Sequence, residues 1–464
     1  MSAEKIINEF PGFPALAGGL INSETDKEYI QYYGKLDITK DTMVNKNTTF
    51  LIGSCTKSIT AAAIMRTLYI NSNSKTNYTM ENITIGKVLT IPINNAYKDV
   101  TLKQLLCMHG GINDANFLGN PYSFWPNFIN NTNNLYNQRQ LLAKLVVGTN
   151  APDPVFQYSY SNIGFTIAVH IVEMLFGTTY EKIMKDVFQK LGMNNAHVPA
   201  IVAPINRLSA PTGNDALGHA VNGVGKEQYN WQIIFWQPLL RKYSIPSPPI
   251  PPKKQINDTI AHVINLTSEY PWTVLGTSGL IRLDIPSWLA YLKAVMTHNN
   301  DFLPEDRWNI LLNTGMPTDS PLTMYTYGWS KPIANHPLAN FGYITYEGYN
   351  NNYFAACVYI RQKKFAVCAT GSAGRGGPSP PNNFALPVYM QGYALLQKYL
   401  PSASAINNRF KRLVDSMMPG PSKKFVDPWV PQTKEGFQSI KAVSYDVLPI
   451  LFALSLFILF AKKK

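Results

Sequence analysis

A chain of 464 residues with 41 Lys and Arg against 28 Asp and Glu is too long for one small core, and at 45% hydrophobic residues it is too apolar to be disordered. Its net charge of +13 is spread without the aromatic-interleaved basic stripe that tracks nucleic acid, so a nucleic-acid-binding function is not expected. The 4 cysteines, at 55, 107, 357 and 368, show neither CxxC nor metal-ligand spacing; this argues against a metal centre and suits a reducing compartment.

The first strong pattern is "PALAGGLI" followed by "KEYIQYYGKLD", two strands joined by a polar turn. The opening "MSAEKIINEFPGFPALAGG" has no charged n-region followed by an apolar h-region, so no signal peptide is expected. Residues 50–70, "FLIGSCTKSITAAAIMRTLYI", read as a strand, a glycine hinge and a helix with almost no polar face. "VTLKQLLCMHGGIND" begins as a helix expected to stop at Gly110-Gly111, and "NNTNNLYNQRQ" reads as an Asn-rich loop. Helical spacing returns in "SNIGFTIAVHIVEMLF" and in "TYEKIMKDVFQKLG", the second closed by Gly192. "SIPSPPIPPKK" is polyproline-like surface and "SWLAYLKAVMTH" a further helix. "YFAACVYIRQKKFAVCAT" alternates as a hairpin; a two-residue turn at Gln362-Lys363 sets Cys357 opposite Cys368, about 5.5 Å apart at Cα, as free thiols. "NNFALPVYMQGYALLQKYL" is the last helix of the globular part. Strands at both ends with helices between them suit an α/β layer built from both termini around a helical insertion.

Residues 401–446 are Pro-rich and basic and read as a linker. Residues 447–461, "VLPILFALSLFILFA", are uncharged and nearly all apolar, and three lysines follow. As a helix this segment spans about 22 Å, short of the ~30 Å hydrocarbon core, but terminal lysines can snorkel to the far interface. A C-terminal transmembrane anchor is expected, with the folded body on the cytosolic side.

Ser54 and Lys57 carry the chemistry. They lie three apart and share a helix face. A serine hydroxyl is a poor nucleophile until a base takes its proton, and a lysine serves when desolvation disfavours its charged form. A helix start also aims free N–H groups and the positive dipole end at a developing oxyanion. This is the pattern of an acyl-transfer site. S-x-x-K alone is weak, since Ser2/Lys5 and Ser72/Lys75 repeat it, but only Ser54/Lys57 sits between a strand and an Ala-rich helix. None of the 7 histidines falls in a zinc pattern. Cys55 points about 100° from Ser54 on the helix and reads as core.

The run "TTFLIGSCTKSITA" resembles the first motif of the serine β-lactamase-like, penicillin-binding superfamily, in its class C and esterase branch. Similar features follow in order over most of residues 10–400: "VTLKQLLCMHGGIND" for the helix and turn usually written LLTHTSGL, "YSN" at Tyr160, Ser161 and Asn162 for the Tyr-x-Asn element, and "YTYGWSK" for a Tyr-Gly-x-Gly-Trp stretch. The resemblance implies that Ser54 attacks a carbonyl, that Lys57 and Tyr160 form the base pair, and that Asn162 holds substrate or the lysine amine. One oxyanion donor would be the Ser54 N–H.

The third motif departs from the family. Relatives carry Lys, His or Trp, then any residue, then Gly; the best-placed match is Tyr346-Glu347-Gly348, with Tyr349 as the second oxyanion donor. "ATGSAG", with Thr370-Gly371-Ser372, imitates K-T-G-S in letters but follows the hairpin. Tyr346 brings no charge for a substrate carboxylate, and Glu347 would repel one if it faced inward. An ester or amide substrate is expected in preference to a penicillin.

The sequence thus implies an α/β (α+β) chain with a β-lactamase/transpeptidase-like fold. An antiparallel sheet flanked by helices is expected, with an all-helical region and a C-terminal membrane helix. A catalytic domain covers 1–400, its α/β part from roughly 6–53 and 270–400 and its helical part roughly 54–269. The function read from it is a membrane-anchored serine hydrolase working through an acyl-enzyme on Ser54. No metal or cofactor is required, and its partners are a small-molecule or peptide ester or amide and membrane lipid. The alternative from another class is a catalytically impaired protein with a binding or structural role in a membrane- or particle-associated assembly.

Overall fold

The structure is a computed structural model. It describes residues 2–118, 134–199 and 272–399 apart from breaks at 10–12, 38–39, 334–341, 351–352 and 374–384, with short stretches between 201 and 263. The linker, the expected anchor at 447–461 and "SIPSPPIPPKK" lie outside the described residues. No single helix among those described is long and apolar enough to cross a membrane.

Eight strands form one antiparallel sheet: β1 (Ala15–Asn22), β2 (Lys27–Gly34), β3 (Met316–Pro317), β4 (Thr323–Thr326), β5 (Trp329–Pro332), β6 (Tyr343–Asn350), β7 (Tyr353–Ile360) and β8 (Phe365–Gly371). Their spatial order is β2-β1-β8-β7-β6-β5-β4-β3, so the N-terminal strand lies between its own hairpin partner and the last strand. Helices cover both faces. On β1 a Cβ at Gly18 would stand 2.7 Å from Gln391 of helix α7 (Ala385–Tyr399), and one at Gly19 would stand 2.5 Å from Ile285 of helix α6 (Ile285–Thr297). The hydrophobic run of β1 follows from burial on both sides. A short helix not expected from the sequence, α1 (Ala3–Glu9), buries Ala3 and Ile6 in the same apolar layer as α7.

The expected hairpin forms in the expected register, with Cys357 opposite Cys368 and both thiols free. Its turn is longer than two residues. Ile360 pairs with Phe365 across a loop of Arg361–Lys364, closed by Lys364 in the left-handed region at φ 53°.

Between the sheet's two contributing segments lie the helices that carry the site: α2 (Thr56–Asn71), α3 (Leu135–Val147), α4 (Asn162–Phe176) and α5 (Tyr180–Lys190). Two boundaries differ from expectation. The helix in "VTLKQLLCMHGG" ends at Leu106, before the glycines, because Met108 takes the left-handed conformation at φ 65°. Residues 135–140, expected in a loop, open α3, because Asn134 caps it by accepting from the Tyr136 and Asn137 N–H groups.

A buried ion cluster fixes the far end of α4. Arg139 of α3 forks onto both Glu173 oxygens and also reaches Glu181, while the Tyr180 N–H donates to Glu173 at 2.7 Å. Burial pushes the Glu173 carboxyl up, but hydrogen bonds from His170 and Arg139 outweigh it and hold the group below the ordinary range. The stabilisation is therefore present above the unfolded carboxylate value and lost only as pH falls through the lower folded one. Arg139 and Glu173 are both buried, and the cluster ties α3, α4 and α5 together at the end of α4 opposite Asn162.

Candidate active site

Ser54 sits where two backbones touch. The two-residue strand Phe50–Leu51 leads into Gly53 at φ 51°, and a single 3-10 turn, Gly53–Cys55, then runs into α2. A Cβ at Gly53 would lie 2.7 Å from the Gly348 carbonyl carbon and the Tyr349 nitrogen. A Cβ at Gly348 would lie 1.8 Å from the Ile52 oxygen and 2.9 Å from the Ser54 nitrogen. Neither position accommodates a side chain, so β6 can press directly against the nucleophile turn.

Lys57, one turn along α2, is wholly buried. Its Nζ lies 3.1 Å from Ser54 Oγ and donates to Asn162 Oδ1 at 2.7 Å and to the Ser278 carbonyl at 2.9 Å. The last two are obligate acceptors and occupy two N–H groups. In the neutral amine the remaining lone pair then falls to the Ser54 hydroxyl, which is the geometry of a base. Tyr160 donates to Ser54 Oγ at 2.6 Å, and the Lys57 amine lies 4.8 Å from the Tyr160 ring centre. Four of the residues named from the sequence therefore converge: Ser54, Lys57, Tyr160 and Asn162.

The third-motif residues divide by the pleat of β6. Tyr346 faces the site, buried, donating to Tyr160 Oη at 3.4 Å and sharing a 2.6 Å hydrogen bond with Tyr325. Glu347 faces the opposite way and accepts from Tyr389 of α7 at 2.5 Å. Tyr349 also packs on the α7 side, so only its backbone approaches Ser54. Thr370-Gly371-Ser372 ends β8, two strands from β6, with Gly371 against Phe13 and Val388. Cys55 is core, as its helical position requires.

Sequence reasoning missed three participants. The Ser278 carbonyl belongs to the turn Gly276–Gly279, tied to α2 where Thr60 donates to the Thr277 carbonyl at 2.8 Å. Tyr325 comes from β4. Asp114 is the third: it accepts from Ser161 Oγ at 2.6 Å, the Asn162 N–H at 2.8 Å and the Ile163 N–H at 3.2 Å. Burial raises its carboxyl pKa, while those hydrogen bonds and the nearby Lys57 oppose the rise. Asp114 thus caps α4 from outside, beside the Ser161 side chain that caps it from within at the Gly164 N–H. Asp114→Ala is expected to lower stability by about 2 kcal/mol. It should also cut turnover about tenfold by loosening Asn162, with Asp114→Asn intermediate; denaturant titration and steady-state rates check both.

Residues 4–230 match the β-lactamase family model. The penicillin-binding protein of Bacillus halodurans superposes with a TM-score of 0.57 at 17% identity, over 81% of this chain and 95% of that one. Over residues 4–230 the sequence is similar to the β-lactamase family, and the fold is that of penicillin-binding proteins and class C β-lactamases. This β-lactamase-like chain is also similar to the octameric penicillin-binding protein homologue of Pyrococcus abyssi (TM-score 0.56, 18% identity, 88% and 79% of the two chains). A D-stereospecific amidohydrolase from Streptomyces sp. superposes with a TM-score of 0.54 at 15% identity, over 80% and 94%. No curated protein sequence matches it. At these identities the superpositions establish the fold of the β-lactamase-like chain, and its chemistry has to be argued from its own site.

Proposed function

We propose that this β-lactamase-like protein is a serine hydrolase that cleaves an uncharged ester or amide through an acyl-enzyme on Ser54. The observation that carries the proposal is the meeting of two groups at one hydroxyl: Lys57 Nζ at 3.1 Å and Tyr160 Oη at 2.6 Å from Ser54 Oγ. Neutral Lys57 takes the Ser54 proton as Oγ bonds to the carbonyl carbon. The oxyanion develops between the Ser54 N–H, at the helix start, and the facing backbone at Gly348-Tyr349. Tyr160 gives its proton to the departing oxygen or nitrogen, leaving a phenolate beside the Lys57 ammonium. Water then loses a proton to that phenolate and attacks the acyl carbon, and Lys57 returns its proton to Ser54 Oγ. Every proton is restored, and the cycle requires no metal or cofactor.

The substrate class follows from Tyr346. Where relatives place Lys, His or Trp, this site presents a neutral phenol, which offers a substrate carboxylate no charge. Esters and amides without a carboxylate there are the better substrates, in keeping with the amidohydrolase among the neighbours. A fluorophosphonate probe should label the wild-type protein and leave folded Ser54→Ala unlabelled. No labelling of the folded wild type would support a binding or structural role instead.

The same proposal puts the catalytic body at the cytosolic face of a membrane. Its support is the apolar run 447–461 and the lysines behind it. Full-length protein should sediment with membranes after alkaline carbonate washing, and deletion of 447–464 should release it.

A further inference from the structure

We propose that Tyr325 and Tyr346 form a one-way hydrogen-bond relay that aims the Tyr160 hydroxyl at Ser54 and steadies the Tyr160 phenolate, which makes Tyr346 a positioning residue of the reaction. The inference rests on the acyl-enzyme reading above and adds a role for the residue that replaces the third-motif cation.

The direction of the relay follows from counting hydrogens. In the base form that the acyl-enzyme reading requires, the Lys57 amine spends its two N–H groups on Asn162 Oδ1 and the Ser278 carbonyl, which leaves its lone pair for the Ser54 hydrogen 3.1 Å away. The hydrogen between Ser54 and Tyr160, 2.6 Å apart, must then come from Tyr160. Each phenol carries one hydrogen. With the Tyr160 hydrogen committed, the 3.4 Å contact to Tyr346 is filled by the Tyr346 O–H. The 2.6 Å contact beyond it can then be filled only by Tyr325. The chain runs Tyr325 to Tyr346 to Tyr160 to Ser54 to Lys57, and each link fixes the next.

Tyr346 holds on to the proton that it donates. Burial, followed by the neighbouring Tyr160 and Tyr325 phenols, raises its pKa well above the usual phenol range. The 3.4 Å link is long in the resting site. Hydrogen bonds from O–H to an oxyanion contract to about 2.5–2.7 Å, so the link strengthens when Tyr160 has given up its proton. The Lys57 amine of α2 lies 4.8 Å from the Tyr160 ring centre, and Asn162 of α4 accepts from that amine. Tyr158 stacks obliquely on Tyr325 at 6.3 Å, Asp114 lies behind the Asn162 N–H, and Glu347 is turned to α7. Tyr346 therefore does by neutral donation what a cation would do by charge, without creating a carboxylate subsite.

The test is the pH profile of kcat/KM for an unactivated alkyl ester, whose alkoxide leaving group needs a proton, measured on the full chain. The alkaline limb marks loss of the Tyr160 proton needed by the leaving group. A donor to the phenolate favours that loss, so removing the donor defers it to higher pH. Tyr346→Phe is expected to lower kcat about tenfold and move the alkaline limb up by about one unit. Tyr325→Phe should move it the same way by less, and carries the test if Tyr346→Phe does not fold. A loss of activity with the limb unmoved in the folded variants would overturn the relay and leave Tyr346 as packing. Ester turnover persisting in Ser54→Ala would instead overturn the acyl-enzyme reading, whatever the limb does.

Discussion

Replacing Lys57 by methionine is expected to cut kcat/KM for an activated ester by about 10³-fold while the protein stays folded. The buried stem of Lys57 is matched in volume by methionine, so the apolar packing of α2 against α4 and the Gly276–Gly279 turn is kept. The amine is what disappears, and with it the acceptor for the Ser54 proton at 3.1 Å. The change leaves Asn162 Oδ1 and the Ser278 carbonyl without that donor, each costing about 1–3 kcal/mol, but it also removes a polar group held out of water, which offsets part of the loss. Rapid-mixing measurement of the acylation burst, beside a thermal unfolding curve, separates the two effects. Turnover within tenfold of wild type in folded Lys57→Met would show that another group takes the proton.

Gly348→Ala should be nearly as damaging for a steric reason. Its methyl would stand 1.8 Å from the Ile52 oxygen, a separation no packing tolerates, and 2.9 Å from the Ser54 nitrogen. Strand β6 and the nucleophile turn must part by more than an ångström, and a displacement of that order costs about 10² in rate. The same overpacking should lower stability by about 2 kcal/mol. Because Tyr346 rides on β6, its link to Tyr160 lengthens as well. Steady-state kinetics with denaturant titration tests this; near-wild-type activity would mean that the Gly53–Gly348 contact does not set the site.

The parts of this arrangement that the sequence disclosed are those encoded locally. Ser54 and Lys57 are three apart on an apolar helix, and helical geometry alone brings them together. The Cys357–Cys368 register was legible although the turn was not: a two-residue and a four-residue loop centred between Gln362 and Lys363 impose the same pairing. The outward direction of Glu347 was implicit too, since strand alternation turns it from the cleft once Tyr346 faces in. Tyr160 and Asn162 came only from resemblance, because they lie 106 and 105 residues from their partners. Asp114 and Tyr325 stand in the quoted "VTLKQLLCMHGGIND" and "YTYGWSK", but nothing local gave a role to either or to the Ser278 carbonyl. Asp114 caps a helix that starts 48 residues later, and a backbone carbonyl leaves no trace in a side-chain pattern. The start of α3 was hidden because a run of asparagines reads as loop until one of them, Asn134, is seen to cap.

The most direct trial of the acyl-enzyme mechanism is the mass of the intact protein after brief incubation with an ester panel and with benzylpenicillin, followed by peptide mapping. The expected result is the added mass of one acyl group from an uncharged ester, located on the peptide containing Ser54 and absent in Ser54→Ala, with little or none from penicillin. An adduct on any other side chain, or none on folded wild-type protein, would contradict it.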